Sequence, residues 1–163
     1  MSKKVAIIMG SDSDLPKMQG AIDLLKEFQV PHYVEVVSAH RTPNEMLQFA
    51  AEAEKNDFSV IIAGAGGAAH LPGMVASNTR LPVIGIPINI TALNGMDALL
   101  SIVQMPKGVP VAAMAVDNST NGALLAVRIL ALSDPSLKTK LDEFQNFQKE
   151  KVARANAKLN TSK

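Results

Sequence analysis

The sequence contains no cysteine and no tryptophan, and it has only one tyrosine and five phenylalanines among its 163 residues. Without cysteine, the chain cannot use thiol catalysis, form a disulfide or bind zinc or an iron–sulfur cluster through sulfur. The scarcity of aromatic residues removes the side chains on which nucleic-acid bases usually stack. Sixteen basic against fifteen acidic residues give a net charge of +1, so we expect no basic surface for a polyanion. These absences exclude cysteine chemistry and argue against a nucleic-acid-binding protein.

Long hydrophobic runs are also missing. The longest apolar stretches, 60–69 and 81–90, are about half the ~20 residues that a helix needs to cross a bilayer. The apolar part of residues 1–10 is too short for a signal peptide, so we expect a cytoplasmic protein. Hydrophobic residues make up 47% and charged residues 19%, which is typical of a globular protein, and the length predicts a single domain over 1–163.

Short β-branched apolar runs alternate along the chain with segments of helical periodicity. The predicted strands are 5–9, 33–37, 60–63, 83–86 and 111–116, and the predicted helices between them are 15–28, 42–55, 71–77, 94–103 and 122–132. The second helix has the clearest start, because Thr42 fits the N-cap, Pro43 the first helical position and Glu45 a capping box. This order predicts a parallel sheet with helices on both faces, joined by right-handed crossovers.

A further long amphipathic helix is predicted over 134–160. Its apolar stripe consists of Leu137, Leu141, Phe144, Phe147 and Val152, with charged residues between them. Such an extra helix packs either on its own domain or on a neighbouring subunit, and the pattern alone favours neither.

Ligands of open parallel sheets bind beyond the carboxyl ends of the strands, where this sequence places three unusual loops. They are Gly-Ser-Asp-Ser-Asp at 10–14, Ser-Ala-His-Arg-Thr-Pro at 38–43 and Gly-Ala-Gly-Gly-Ala-Ala-His at 64–70. The first loop combines hydroxyls with helix N-terminal amides, which suits a phosphate, and its aspartates could accept hydrogen bonds from ribose hydroxyls. Simple helix capping by serine or aspartate explains the same residues.

The second and third loops carry the residues that are best suited to bind a phosphate or to transfer a proton. Arg41 offers a bidentate fork for a phosphate, and the neighbouring His40 can move protons near neutral pH. The glycines at 64–67 let backbone amides approach a ligand closely, and His70 follows them. The alternative for His40 and Arg41 is that they are simply exposed residues of a surface loop. The alternative for 64–67 and His70 is a tight turn beside a structural histidine. The histidines and acids lack metal-ligand spacing, so we expect no metal. The residues predict an enzyme or binder for a phosphorylated, ribose-like molecule.

The three loops, with the third extended over 63–74, closely resemble motifs of the PurE family of purine biosynthesis, and Ser-Ile-Val-Gln-Met-Pro at 101–106 matches a fourth family segment. The resemblance runs in order from about residue 5 to 132. The Ser-Ala-His-Arg form and the intact Gly-Gly-Ala-Ala-His-Leu-Pro-Gly stretch are similar to the class I branch. This resemblance implies a three-layer αβα sandwich of the flavodoxin-like type with a five-stranded parallel sheet. It also implies a homo-octamer in which helix 134–160 packs on a neighbouring subunit.

The resemblance further implies an activity. Class I members convert 5-(carboxyamino)imidazole ribonucleotide to 4-carboxy-5-aminoimidazole ribonucleotide by decarboxylation and recarboxylation, without a cofactor or a metal. By motif, His40 and His70 would be catalytic, with His40 as the proton shuttle. The expected substrate-binding residues are Ser11, Asp12, Ser13, Asp14, Ser38, Ala39, Arg41, Gly64, Ala65, Gly66, Gly67 and Leu71. The alternative activity is direct carboxylation of aminoimidazole ribonucleotide with CO2, as in class II.

Two segments depart from the commoner family sequences. They are Ile-Asn-Ile-Thr at 88–91 and Val-Asp-Asn-Ser-Thr-Asn at 116–121, and we expect them near the cleft or a subunit contact. Two readings from other classes stay open at this point. One is a flavin-binding or phospho-acceptor signalling domain, against which the scarcity of aromatics and the two histidines argue. The other is a noncatalytic nucleotide-binding protein.

Overall fold

Five parallel strands form one sheet in the computed structural model, which describes residues 4–160. The strands are β1 (Lys4–Met9), β2 (His32–Val36), β3 (Phe58–Gly66), β4 (Val83–Ile88) and β5 (Ala112–Ala113). The helices are α1 (Leu15–Glu27), α2 (Pro43–Glu52), α3 (Leu71–Ala76), α4 (Met96–Val103), α5 (Ser119–Ala131) and α6 (Pro135–Asn160). The strand order is β2-β1-β3-β4-β5.

Helices cover both faces of the sheet, which explains why its central strands are continuous apolar runs. Successive side chains of β1 enter opposite cores: Ile7 packs with α1 and α5, and Ile8 packs with α2, α3 and α4. Both isoleucines are fully buried. The predicted three-layer αβα sandwich with a five-stranded parallel sheet is therefore confirmed.

Several predicted boundaries are wrong for identifiable reasons. The capping box at Thr42 does not form, because the Thr42 hydroxyl donates to the Ser38 carbonyl oxygen at 3.1 Å. Strand β3 continues through the predicted glycine loop to Gly66, since it pairs with β1 on one side and β4 on the other. Helix α5 begins at Ser119 rather than 122, because the Asn118 side chain accepts a hydrogen bond from the Asn121 amide. Strand β5 is only two residues long, whereas 111–116 was predicted.

Helix α6 packs on its own domain along its first half. Leu137 is buried, the Phe144 ring lies 5.8 Å from that of Phe28, and the Lys140 ammonium donates to the Phe28 carbonyl oxygen at 2.8 Å. Farther along, Phe147 and Val152 are exposed. Within the described residues the second half of the apolar stripe thus lies mostly open, although the Arg154 guanidinium lies 5.7 Å from the centre of the Phe147 ring.

None of the helices in residues 4–160 is long and apolar enough to cross a membrane.

Candidate active site

The loops after β1, β2 and β3 meet at the carboxyl edge of the sheet, where the strand order reverses. Parallel α/β sheets bind their ligands at this switch point. A cavity of about 270 Å³ opens there. It is lined by Gly10, Ser11, Asp14, Ser38, Ala39, His40, Arg41, Ala65, Gly66, Ala68, His70, Leu71 and Ile90. The structure therefore brings together most of the residues predicted for the site.

Two histidines from different loops form a hydrogen-bonded pair in this cavity. The distance between His40 Nε2 and His70 Nδ1 is 2.7 Å, and the two rings meet edge to face. His40 follows β2, whereas His70 precedes α3, and its amide donates to the Ala68 carbonyl oxygen. One of the two ring nitrogens must carry the hydrogen and the other must accept it. The hydrogen bond therefore joins the two imidazoles directly.

Arg41 joins the first loop to the second. Its Nη2 donates to the Gly10 carbonyl oxygen at 2.7 Å, and its Nε donates to the Ser38 hydroxyl at 3.2 Å. A guanidinium group has five N–H donors, so three remain free for a ligand on the Nη1 and Nη2 side. Phosphates and carboxylates are the groups that such a planar fork binds through two parallel hydrogen bonds.

The first loop forms a short 3₁₀ turn at Asp12–Asp14 that Ser11 caps. The Ser11 amide donates to Asp14 Oδ2 at 3.2 Å, while the Ser11 hydroxyl oxygen accepts from the Ser13 amide at 3.4 Å. Asp12 is engaged within the turn, where it accepts from the Ser13 amide at 3.0 Å. The capping interpretation is thus right for Ser11 and Asp14, which also line the cavity. Asp12 and Ser13 lie outside the cavity lining.

Asp14 is the one charged residue of the site that is buried, with 2% of its surface exposed. Burial raises the pKa of its carboxyl, although the Ser11 amide and the nearby Arg41 guanidinium act in the opposite direction. Its Oδ2 holds the Ser11 amide, but its Oδ1 has no hydrogen-bond partner. A buried acceptor without a partner carries an uncompensated desolvation cost.

Replacing Asp14 by asparagine is expected to stabilise the fold at neutral pH by about 1 kcal/mol, because a neutral amide loses less hydration on burial than a carboxylate. The folded-state pKa lies above the ordinary value of 3.8, so the native state binds the proton more tightly. Stability of the natural chain should therefore fall, relative to Asp14→Asn, as the pH rises from about 3.8. Thermal denaturation of both chains across this range tests the difference. If the melting temperatures of the two chains change with pH in the same way, the prediction is wrong.

Small and apolar residues of the second and third loops line the cavity. Ala39, Ala65 and Leu71 are all buried and belong to this lining. Gly64 and Gly67 lie outside the lining. Gly64 has a packing role, because a Cβ on it would lie 2.5 Å from the sulfur of Met18 in α1.

Ile90 was not named among the predicted site residues, although segment 88–91 was expected near the cleft or a subunit contact. It lies two residues beyond the carboxyl end of β4 and lines the cavity. The departure of 88–91 from the commoner family sequence was the available signal.

A larger cavity of about 410 Å³ lies between the end of α1 and the start of α6. Its ammonium group, that of Lys140, already donates to the Phe28 carbonyl oxygen and to Gln29 Oε1. Over residues 4–160, no three histidine or carboxylate side chains are grouped closely enough to hold a metal ion.

Comparison with known proteins gives a consistent result. The family model described as AIR carboxylase matches residues 4–151. The N5-carboxyaminoimidazole ribonucleotide mutase of Pyrococcus horikoshii is 58% identical over 148 residues, which cover 91% of this chain and 84% of the relative. The phosphoribosylaminoimidazole carboxylase of Saccharomyces cerevisiae is 58% identical over 157 residues, or 96% of this chain.

The chain spans only 28% of the length of that yeast carboxylase, and it spans the same share of the chloroplastic carboxylase of Vigna aconitifolia, with which it is 55% identical. Among solved structures, Treponema denticola PurE superimposes with a TM-score of 0.88 at 27% identity, over 96% of this chain and 98% of the other.

Proposed function

The chain belongs to the AIR carboxylase (PurE) family, and from this premise we propose that it is a class I mutase. The enzyme converts 5-(carboxyamino)imidazole ribonucleotide to 4-carboxy-5-aminoimidazole ribonucleotide. The observation that carries the proposal is the His40–His70 pair, 2.7 Å apart, in the same cavity as Arg41. A proton-transfer pair beside a phosphate-binding fork matches a nucleotide isomerisation.

Substrate binding divides between the two ends of the cavity. The free guanidinium donors of Arg41 and the Ser11 hydroxyl bind the phosphate. Asp14, which lines the cavity, accepts a hydrogen bond from a ribose hydroxyl. The imidazole then lies over Ala65 and Gly66, next to the histidines. Roles for Asp12, Ser13, Gly64 and Gly67, which lie outside the cavity lining, stay a prediction.

The reaction moves one carboxylate and one proton. The carbamate N–C bond breaks and releases CO2, and the nitrogen retains the electron pair and takes up a proton. The nucleophilic ring carbon then forms a bond to the CO2 carbon and loses its own hydrogen as a proton. One proton is delivered and one is removed in each turnover, so no net acid or base is consumed.

His40 delivers the first proton and removes the second. Its Nε2 hydrogen bond to His70 Nδ1 orients the ring and lets a hydrogen pass between the two imidazoles. Holding CO2 beside the ring carbon supplies the remaining rate enhancement, since positioning two reactants can lower a barrier by roughly 7–11 kcal/mol.

The second candidate is direct carboxylation of aminoimidazole ribonucleotide, which the names of the yeast and plant relatives favour. One experiment separates the two. The purified chain is given 5-(carboxyamino)imidazole ribonucleotide without ATP or bicarbonate, and in parallel aminoimidazole ribonucleotide with bicarbonate. Rapid formation of the ring-carboxylated product in the first reaction alone supports the mutase. Product mainly in the second would establish the carboxylase, and no product in either would refute both.

We also propose that the enzyme acts as a homo-octamer in the cytoplasm. The exposed apolar side chains Phe147 and Val152 on α6, and Met96, Leu100 and Val103 on α4, provide surface for contacts between subunits. Light scattering of the purified chain is expected to give the mass of eight copies. A monomeric mass would overturn this proposal.

A further inference from the structure

Ile90 is an exposed isoleucine at the edge of the catalytic cavity. Its exposed fraction is 56%, whereas Leu71, the other large aliphatic residue of the lining, is 2% exposed. The Ile90 side chain lies directly on the backbone of Gly66. A Cβ on Gly66 would be 2.4 Å from Ile90 Cγ1 and 2.5 Å from Cδ1, so any larger residue there would displace it.

The backbone on each side of Ile90 is anchored. The Asn89 amide donates to Asp117 Oδ1 at 2.9 Å, and Asp117 Oδ2 is held by the Lys17 ammonium at 2.6 Å. On the other side, the Thr91 hydroxyl donates to Asp97 Oδ2 at 2.7 Å. An apolar side chain held at a fixed place beside a cavity is suited to contact a ligand.

We propose that Ile90 is a positioning residue that retains the released CO2. Its side chain forms an apolar wall beside Gly66 in the cavity that Arg41 and Asp14 also line. CO2 is small, neutral and poorly held by hydrogen bonds, so an apolar contact that excludes water is the available means of keeping it beside the ring carbon. This inference rests on the proposed mutase function.

The test measures CO2 escape directly. The substrate carries ¹³C in its carbamate, and the assay contains unlabelled bicarbonate. The natural enzyme is expected to transfer the label to the ring carbon. We expect Ile90→Ala to raise the fraction of turnovers that lose the label about tenfold, because the substitution removes the Cγ1 and Cδ1 atoms that lie beside Gly66. KM should change little. A reaction without enzyme corrects for spontaneous decarboxylation.

Two further variants separate shape from polarity. The side chains introduced by Ile90→Val and Ile90→Thr have nearly the same shape, but the second carries a hydroxyl group in place of a methyl group. Label retention in Ile90→Val should stay close to that of the natural enzyme, while Ile90→Thr should lose label as Ile90→Ala does. Leu93→Ala is the matched control, because Leu93 is 63% exposed and lies outside the cavity lining.

The outcomes distinguish this proposal from the proposed function. If the natural chain does not convert the labelled substrate at all, the mutase function fails. If it does convert it, and Ile90→Ala retains label as well as the natural chain, the role of Ile90 is overturned while the mutase stands. A lower kcat with unchanged label retention would likewise overturn it. Because the side chain is more than half exposed, the variants are expected to fold, and melting curves check this.

Discussion

The His40→Asn variant is expected to lose turnover by about 10²–10⁴-fold while it binds the substrate nearly as well as the natural chain. This range is the usual contribution of a positioned acid–base group. Asparagine can still form a hydrogen bond to His70, so the loops should keep their arrangement, but it cannot carry a proton near neutral pH. Steady-state kinetics give kcat, and calorimetric titration with the substrate gives the dissociation constant.

The chain offers a matched control in His32. Its Nδ1 lies 3.0 Å from the Val30 carbonyl oxygen, and it is outside the cavity lining. His32→Asn should leave kcat unchanged, even if it lowers stability slightly. Turnover of His40→Asn at the natural rate would remove His40 from the mechanism. An equal loss in His32→Asn would indicate a general defect in the fold.

Replacing Arg41 by methionine is expected to raise KM about 100-fold, with a smaller decrease in kcat. Hydrogen bonds to charged groups contribute roughly 1.5–3 kcal/mol each, and the variant loses the fork that faces the phosphate. It also loses the bonds to Gly10 and Ser38, which tie two loops together. Arg41→Lys keeps the charge without the fork, so its KM should be intermediate. Initial rates over a wide range of substrate concentration test both variants.

Arg80 provides the control for the loss of one positive charge. It pairs with Glu54 at 2.8 Å on the surface, and neither residue lines the cavity. Arg80→Met should leave KM and kcat as they are. A KM increase of the same size in both variants would mean that overall charge, rather than a contact of Arg41 with the phosphate, controls binding.

The layered architecture could be predicted because burial leaves a simple trace in the sequence. The continuous apolar run of 5–9 predicts a central strand, and the structure places it between two neighbours. The length of a strand at the edge of the sheet was harder to predict. Strand β5 has a partner on one side only, so the apolar run at 111–116 predicted more pairing than the sheet provides. Sequence periodicity does not record where a partner strand ends.

The candidate site was predictable wherever a loop carries chemically distinctive residues, as at His40 and Arg41. Contacts across the cleft were not. The 2.7 Å approach of His40 to His70 joins residues thirty positions apart and depends on the order of the strands. Ile90 has no distinctive chemistry of its own. Its contact with Gly66 is a packing detail that only the structure shows.

The packing of α1 against α5 has a consequence for how the chain folds. The buried face of α1, with Met18 and Leu25, shares its core with Val127 of α5, about a hundred residues farther along the chain. The Ser119 hydroxyl also donates to the Lys17 carbonyl oxygen at 2.6 Å. During synthesis, α1 is complete long before α5 exists. Contacts of such long sequence separation slow folding, so the nascent chain exposes an apolar helix face until α5 has emerged.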